Sequence, residues 1–125
     1  MRTALLLAIG AMLATGCHSS ASDFEAFMGA RLSGDVKILK MDGNWGGDPW
    51  RCWEIAPVNE DLKRKLIAGW GLVPDPEAFH GVASGGRIYC KFDDLIDSYS
   101  RQSDSYRAVG TDRTNSKMVV YFYNG

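Results

Sequence analysis

The 125-residue chain lacks the signatures that mark most catalysts and nucleic-acid binders. It contains no H-E-x-x-H, no G-x-S-x-G and no C-x-x-C, so the common zinc-protease, serine-hydrolase and dithiol patterns are missing. Histidine is scarce, with only His18 and His80. Basic excess is absent too: 14 Lys and Arg face 15 Asp and Glu, for a formal net charge of −1. A chain so balanced gains little from a phosphate backbone, which excludes nucleic acid as a partner class. Nor is there an apolar run of the about 20 residues needed to cross a bilayer as a helix.

What is present begins at the N-terminus. Arg2 precedes the short apolar run Ala4 to Leu13, the charge-then-apolar order of a secretory signal. The run meets Leu13-Ala14-Thr15-Gly16-Cys17, small residues directly before a cysteine. This resembles the lipobox of bacterial lipoproteins, with Ala14 where the family usually has Leu. The resemblance implies diacylglycerol on the Cys17 sulfur, cleavage after Gly16 and an acylated new amine. Residues 1–16 would then be signal peptide and 17–21 a lipidated tether. Several acyl chains give stable anchoring, at about 0.8 kcal/mol per buried CH₂. His18, rather than Asp, follows the cysteine. In enteric-type sorting that favours the outer membrane, facing the periplasm.

If Cys17 carries lipid, Cys52 and Cys90 remain, and two cysteines allow one pairing. An envelope compartment permits disulfides, so a Cys52–Cys90 bridge is expected; the alternative is two buried thiols. Such a bridge would stabilise the fold by roughly 3–4 kcal/mol in the chain-entropy model. Removing residues 1–16 takes away only Arg2 among the charges. The rest, 22–125, fits one small domain, and fourteen glycines suggest that it is rich in loops.

Hydrophobic periodicity predicts an α+β domain: a small, largely antiparallel sheet with two or three short helices on one face. Ser22 and Glu25 form a capping-box pattern, and Phe24, Phe27, Met28 and Leu32 make a stripe, so a helix is expected from Asp23 to Leu32. Val36 to Met41 reads as a strand, with Asp42-Gly43 as its turn. Trp50 to Ile55 reads as the next strand. Asn59 caps the clearest helix, with Glu60 and Asp61 in its first turn. That helix should bury Leu62, Leu66, Ile67 and Trp70, turn Lys63-Arg64-Lys65 to water and end at Gly69 or Gly71. Val73 to Gly86 reads as loop, Arg87 to Phe92 as strand and Asp93 to Gln102 as a third helix. Tyr106 to Val109 and Lys117 to Tyr123 form a terminal hairpin. The last strand is apolar on both faces, which fits a central strand or one face left for a partner. One conflict arises in the second strand: alternation puts Cys52 opposite Trp53 and Ile55, so either a bulge intervenes or Trp50 and Cys52 mark the core face.

Three arrangements carry candidate chemistry. Asp42 to Asp48 suggests a calcium loop, but its position 5 is Gly46 and its position 12 is Trp53, so no metal is expected. Trp45 and Trp50, beside Asp48, could stack on a sugar and bond its hydroxyls, or meet a protein partner; the bland reading is that the tryptophans fill the core. His80, near Ser84, Asp75 and Glu77, could centre a small hydrolase, although a lone loop histidine is usually only solvated.

In its overall plan, with "VKILKMDGNWGGDPWRCWEI", a capped helix ending "GWGLVP" and then "VVYFYNG", the globular part resembles small uncharacterised envelope lipoproteins. No cofactor is implied. The reading that follows is a lipid-anchored, non-enzymatic envelope protein that binds another protein, of immunity or exclusion type. Its alternatives are a peptidoglycan or glycan binder using Trp45 or Trp50, and a hydrolase centred on His80.

Overall fold

The computed structural model describes residues 20–44, 49–80 and 94–124. Among these, the chain runs α1 (Ser20–Met28), β1 (Lys37–Gly43), β2 (Trp50–Ala56), α2 (Glu60–Trp70), β3 (Val73–Pro74), β4 (Tyr99–Gln102), β5 (Tyr106–Thr111) and β6 (Met118–Tyr123). The strands form one six-stranded sheet in the order β1-β2-β6-β5-β4-β3, antiparallel at every pairing. The α+β class and the antiparallel sheet are thus as the sequence predicts.

Both helices lie against one sheet face. Phe24 and Met28 of α1 and Leu62 and Leu66 of α2 pack with Trp53, Ile55, Val109, Met118, Val120 and Phe122. Each large apolar side chain fully buried there contributes roughly 1.5–3 kcal/mol. The other face is also covered: Cys52, Val119, Tyr121 and Ala108 meet Ala78 and Phe79, with Trp50, Leu95 and Tyr106 packed alongside. This resolves the conflict in β2 without a bulge in that strand. Trp53 and Ile55 point to the helices, Trp50 and Cys52 point the other way, and both faces are core. It also explains why β6, buried from Met118 to Phe122, alternates no polar residues.

The second helix follows its local signals. The Asn59 side chain accepts from the Leu62 amide at 2.9 Å. Gly71 stops the helix at φ 62°, in the left-handed region that favours glycine. The first helix departs from expectation. Ser22 lies inside it rather than at its cap, and Ser20 and Ala21, assigned to the tether, already belong to it. Gly29, at φ 66°, ends it before Leu32, its amide donating to the Glu25 carbonyl at 2.9 Å. Leu32 still packs against the core from outside the helix.

Other expectations need correcting. Asp42-Gly43 is strand, not turn, and pairs with Cys52 and Arg51. The predicted loop after α2 contains β3, and Pro74 is tolerated there because β3 is an edge strand. No third helix forms over the described residues 94–102. Tyr99–Gln102 instead pairs with β5, and Leu95 bridges to Asp112. The apolar trio that suggested a helical stripe is divided by this pairing. Leu95 packs on one sheet face, Tyr99 on the other, and Ile96 is exposed. Cross-strand hydrogen bonds outweighed a weak local period. The strand expected from Arg87 to Phe92 lies outside the described residues.

Candidate functional site

The residues singled out by sequence separate in space. Cys17, Trp45, Asp48, Ser84 and Cys90 lie outside the described residues. Cys52 is fully buried beneath Ala78 and Phe79. Trp50 is half-buried, its ring centroid 6.5 Å from that of Tyr121. Trp53 is fully buried and meets Phe24 edge-on at 5.2 Å, so it fills the core. Asp42 sits in β1 and accepts from the Gly43 amide at 2.8 Å.

His80 is exposed at the end of a turn, its amide donating to the Glu77 carbonyl at 3.1 Å. The nearby Asp75 carboxylate accepts from the Ser100 hydroxyl at 2.6 Å and the Glu77 amide at 3.0 Å. The Ser100 bond ties the 75–80 segment to β4, and the Asp75 amide adds a second tie to the Ser98 carbonyl at 2.9 Å. A third tie is the Tyr106 hydroxyl, which donates to the Ala78 carbonyl. Burial pushes the Tyr106 phenol up, the Ser100 hydrogen bond opposes this, and the Asp75 charge adds to it. Around Asp75, polar contacts thus hold a turn in place.

Lys63 overturns its expectation. It was assigned to water with Arg64 and Lys65, but it is only 5% exposed and pairs with Asp97. Its ammonium also lies 5.6 Å from the centre of the Tyr99 ring. Arg64 and Lys65 remain exposed.

The most developed polar feature was not legible in the sequence. Register places Arg51 of β2 and Arg107 of β5 on either side of Phe122 of β6. The helices complete the row. The Arg51 guanidinium lies 4.7 Å over Phe27, and Phe27 sits 4.9 Å from Phe122. Arg107 lies 4.9 Å from Phe122 and 3.3 Å from the centre of Trp70. Arg51–Phe27–Phe122–Arg107–Trp70 is therefore one continuous series of cations and rings. Arg51 is anchored further by Asp23 of α1 at 3.1 Å. Arg107 donates to the Ser105 hydroxyl; burial pulls its guanidinium below the usual value, against the Asp104 charge. Only the pairing of distant strands creates this series, so no sequence period could reveal it.

At its outer end, Trp70 borders a groove between the C-terminal ends of α1 and α2. The groove encloses about 430 Å³ and is also lined by Gly29, Ala30, Arg31, Lys65 and Gly69. The Trp70 indole donates to the Met28 carbonyl at 2.8 Å, which fixes the ring beside it. Among the described residues, no cluster of three or more His, Cys, Asp or Glu stands ready for a metal. No helix among them is long and apolar enough to cross a membrane.

No known protein family, curated protein or solved structure matches this chain.

Proposed function

We propose that this chain is a lipid-anchored bacterial envelope protein whose domain binds another protein without catalysing a reaction. The lipobox at Cys17 supports the anchoring, and by the residue after it, His18, the outer membrane facing the periplasm. The observation that carries the binding role is the β1 edge of the sheet. Among the described residues β1 pairs with β2 on one side only, and Leu39, at its register shift, is 57% exposed. Lys37 and Lys40 flank it, both exposed; Lys40 lies 3.7 Å from the buried Glu54 carboxylate, which Lys117 holds more closely at 2.5 Å. Lysines and irregular register are devices that keep an edge from pairing with copies of itself. They leave an apolar side chain between two positive charges, which suits an acidic strand of a different protein.

A Cys52–Cys90 bridge belongs to the same proposal. It is supported by the complete burial of Cys52. Thiol labelling of the denatured chain with and without reductant tests it: label taken up at Cys52 before reduction would overturn the bridge.

Cross-linked envelopes test the main reading. The wild-type chain should recover a defined partner, Leu39→Asp should lose it, and Cys17→Ser should abolish acyl incorporation. Recovery of the same proteins by the wild type and Leu39→Asp would overturn the edge-binding role.

A further inference from the structure

We propose that the groove beside Trp70 binds a small acidic sugar, a hexose-sized ring bearing a carboxylate or a phosphate. This site is separate from the β1 edge and does not depend on the partner-binding reading.

Charge defines the ligand's sign. Arg31 and Lys65 are exposed on the groove walls, and neither is ion-paired among the described residues. Asp61, one turn before Lys65, is held by Arg64 at 3.0 Å. A third cation, Arg107, covers one face of the Trp70 ring. With that face occupied by a guanidinium, the indole offers a second cation little. Several of the helix-end carbonyls that could have neutralised this corner already have donors. Met28 takes the Trp70 indole, Trp70 takes Arg101, and Ala68 and Ile67 take the amides of Gly71 and Leu72. Positive charge is therefore left facing the groove.

Shape defines the ligand's size. A volume of about 430 Å³ is at the small end of ligand pockets, which run to about 1,000 Å³. An aromatic wall beside charged groups suits a ring with an apolar C–H face and an anionic substituent.

The glycine at position 69 supports a vacancy kept for a ligand. It lies within α2, where glycine costs roughly 0.5–1 kcal/mol relative to alanine. Its φ is not in the left-handed region, and an added Cβ would meet nothing within 4 Å. Neither the backbone nor packing requires a glycine here. Because Gly69 lines the groove, a larger residue there would narrow it.

Calorimetric titration of the full chain in detergent micelles tests the proposal, with N-acetylmuramic acid and glucose 6-phosphate as acidic probes and N-acetylglucosamine as the neutral one. Saturable binding of at least one acidic probe is expected, at least about tenfold tighter than the neutral sugar, the loss expected from one missing charge-assisted hydrogen bond. Preference between the two acidic probes distinguishes a wall-derived carboxylate from a soluble sugar phosphate. Gly69→Leu should abolish binding without lowering the melting temperature. The double variant Arg31→Glu/Lys65→Glu, altered only at exposed side chains, should weaken binding by at least about tenfold on the same grounds. Absence of saturable binding by both acidic probes overturns the proposal. So does equal affinity for the neutral sugar, or wild-type affinity in the double variant.

Discussion

The Arg107 guanidinium lies 3.3 Å from the centre of the Trp70 ring and joins β5 to the end of α2. The pair couples sheet to helix by stacking, without a carboxylate. Arg107 also lies 4.9 Å from Phe122, so it spaces two aromatic rings apart. Replacing it with alanine should destabilise the domain by about 1–3 kcal/mol, from lost stacking and lost packing of the stem. Lysine, which keeps charge but not the flat surface, should recover only part of this. Urea unfolding midpoints of the two variants give the comparison; equal midpoints for lysine and wild type would remove the stacking account.

The turn between β5 and β6 depends on Asp112. Its carboxylate accepts from the amides of Ser116 at 2.7 Å and Lys117 at 3.1 Å, and from the hydroxyls of Ser116 at 2.6 Å and Thr114 at 3.0 Å. Burial alone would raise its pKa, but these donors outweigh burial and hold it at about 2, against an ordinary 3.8. A carboxylate depressed on folding adds stability above its unfolded pKa and loses it as pH falls through the folded one. Asp112 should thus contribute on the order of 1–2 kcal/mol near neutral pH, fading between about pH 4 and pH 2. The stability gap between wild type and Asp112→Ala, measured across that window, should shrink on acidification.

At the alkaline end the relevant group is Tyr121. Burial, then its neighbours Tyr123 and Tyr106, push its phenol up to about 12 from 10.0. An acid whose pKa rises on folding favours the folded state below its unfolded value and ceases to do so as pH climbs through the folded one. Alkaline destabilisation is expected between about pH 10 and pH 12, and Tyr121→Phe should reduce it. Absorbance of tyrosinate during titration, recorded with circular dichroism, checks whether ionisation and unfolding coincide.

The ends of α2 supply a stability test. Asn59→Ala removes the acceptor for the Leu62 amide and should cost about 0.5–2 kcal/mol. Gly71→Ala should cost at least about 1 kcal/mol, because its φ is 62° and a Cβ would collide with Arg101. Thermal melts of both variants should show a lowered midpoint. An unchanged midpoint for Gly71→Ala would overturn the strain expected at φ 62°.

These residues also show which parts of the molecule were legible in sequence. Asn59 and Gly71 act on backbone groups within a few positions of themselves, so α2 could be read from its own residues. β6 was legible for a similar reason, since apolar residues on both sides of a strand require two covered faces. Tyr99–Gln102 was misread because its hydrogen bonds go to β5, and a helical spacing of three apolar residues carried no information about that partner. Lys63 was misplaced for the same reason: Asp97, which compensates its burial, lies 34 residues away along the chain. The groove beside Trp70 was missed because its walls come from two separate helices. A glycine within α2 was the one local sign of it, and that glycine was read only as a terminator.

β6 comes last among the described strands yet lies inside the sheet, with β1 and β2 on one side and β5, β4 and β3 on the other. Its neighbours β2 and β5 do not pair with each other, so two half-sheets wait for the same final segment. A chain synthesised from its N-terminus must therefore emerge as far as Met118–Tyr123 before its sheet can close. Only the arrival of Met118–Tyr123 between β2 and β5 joins the two halves.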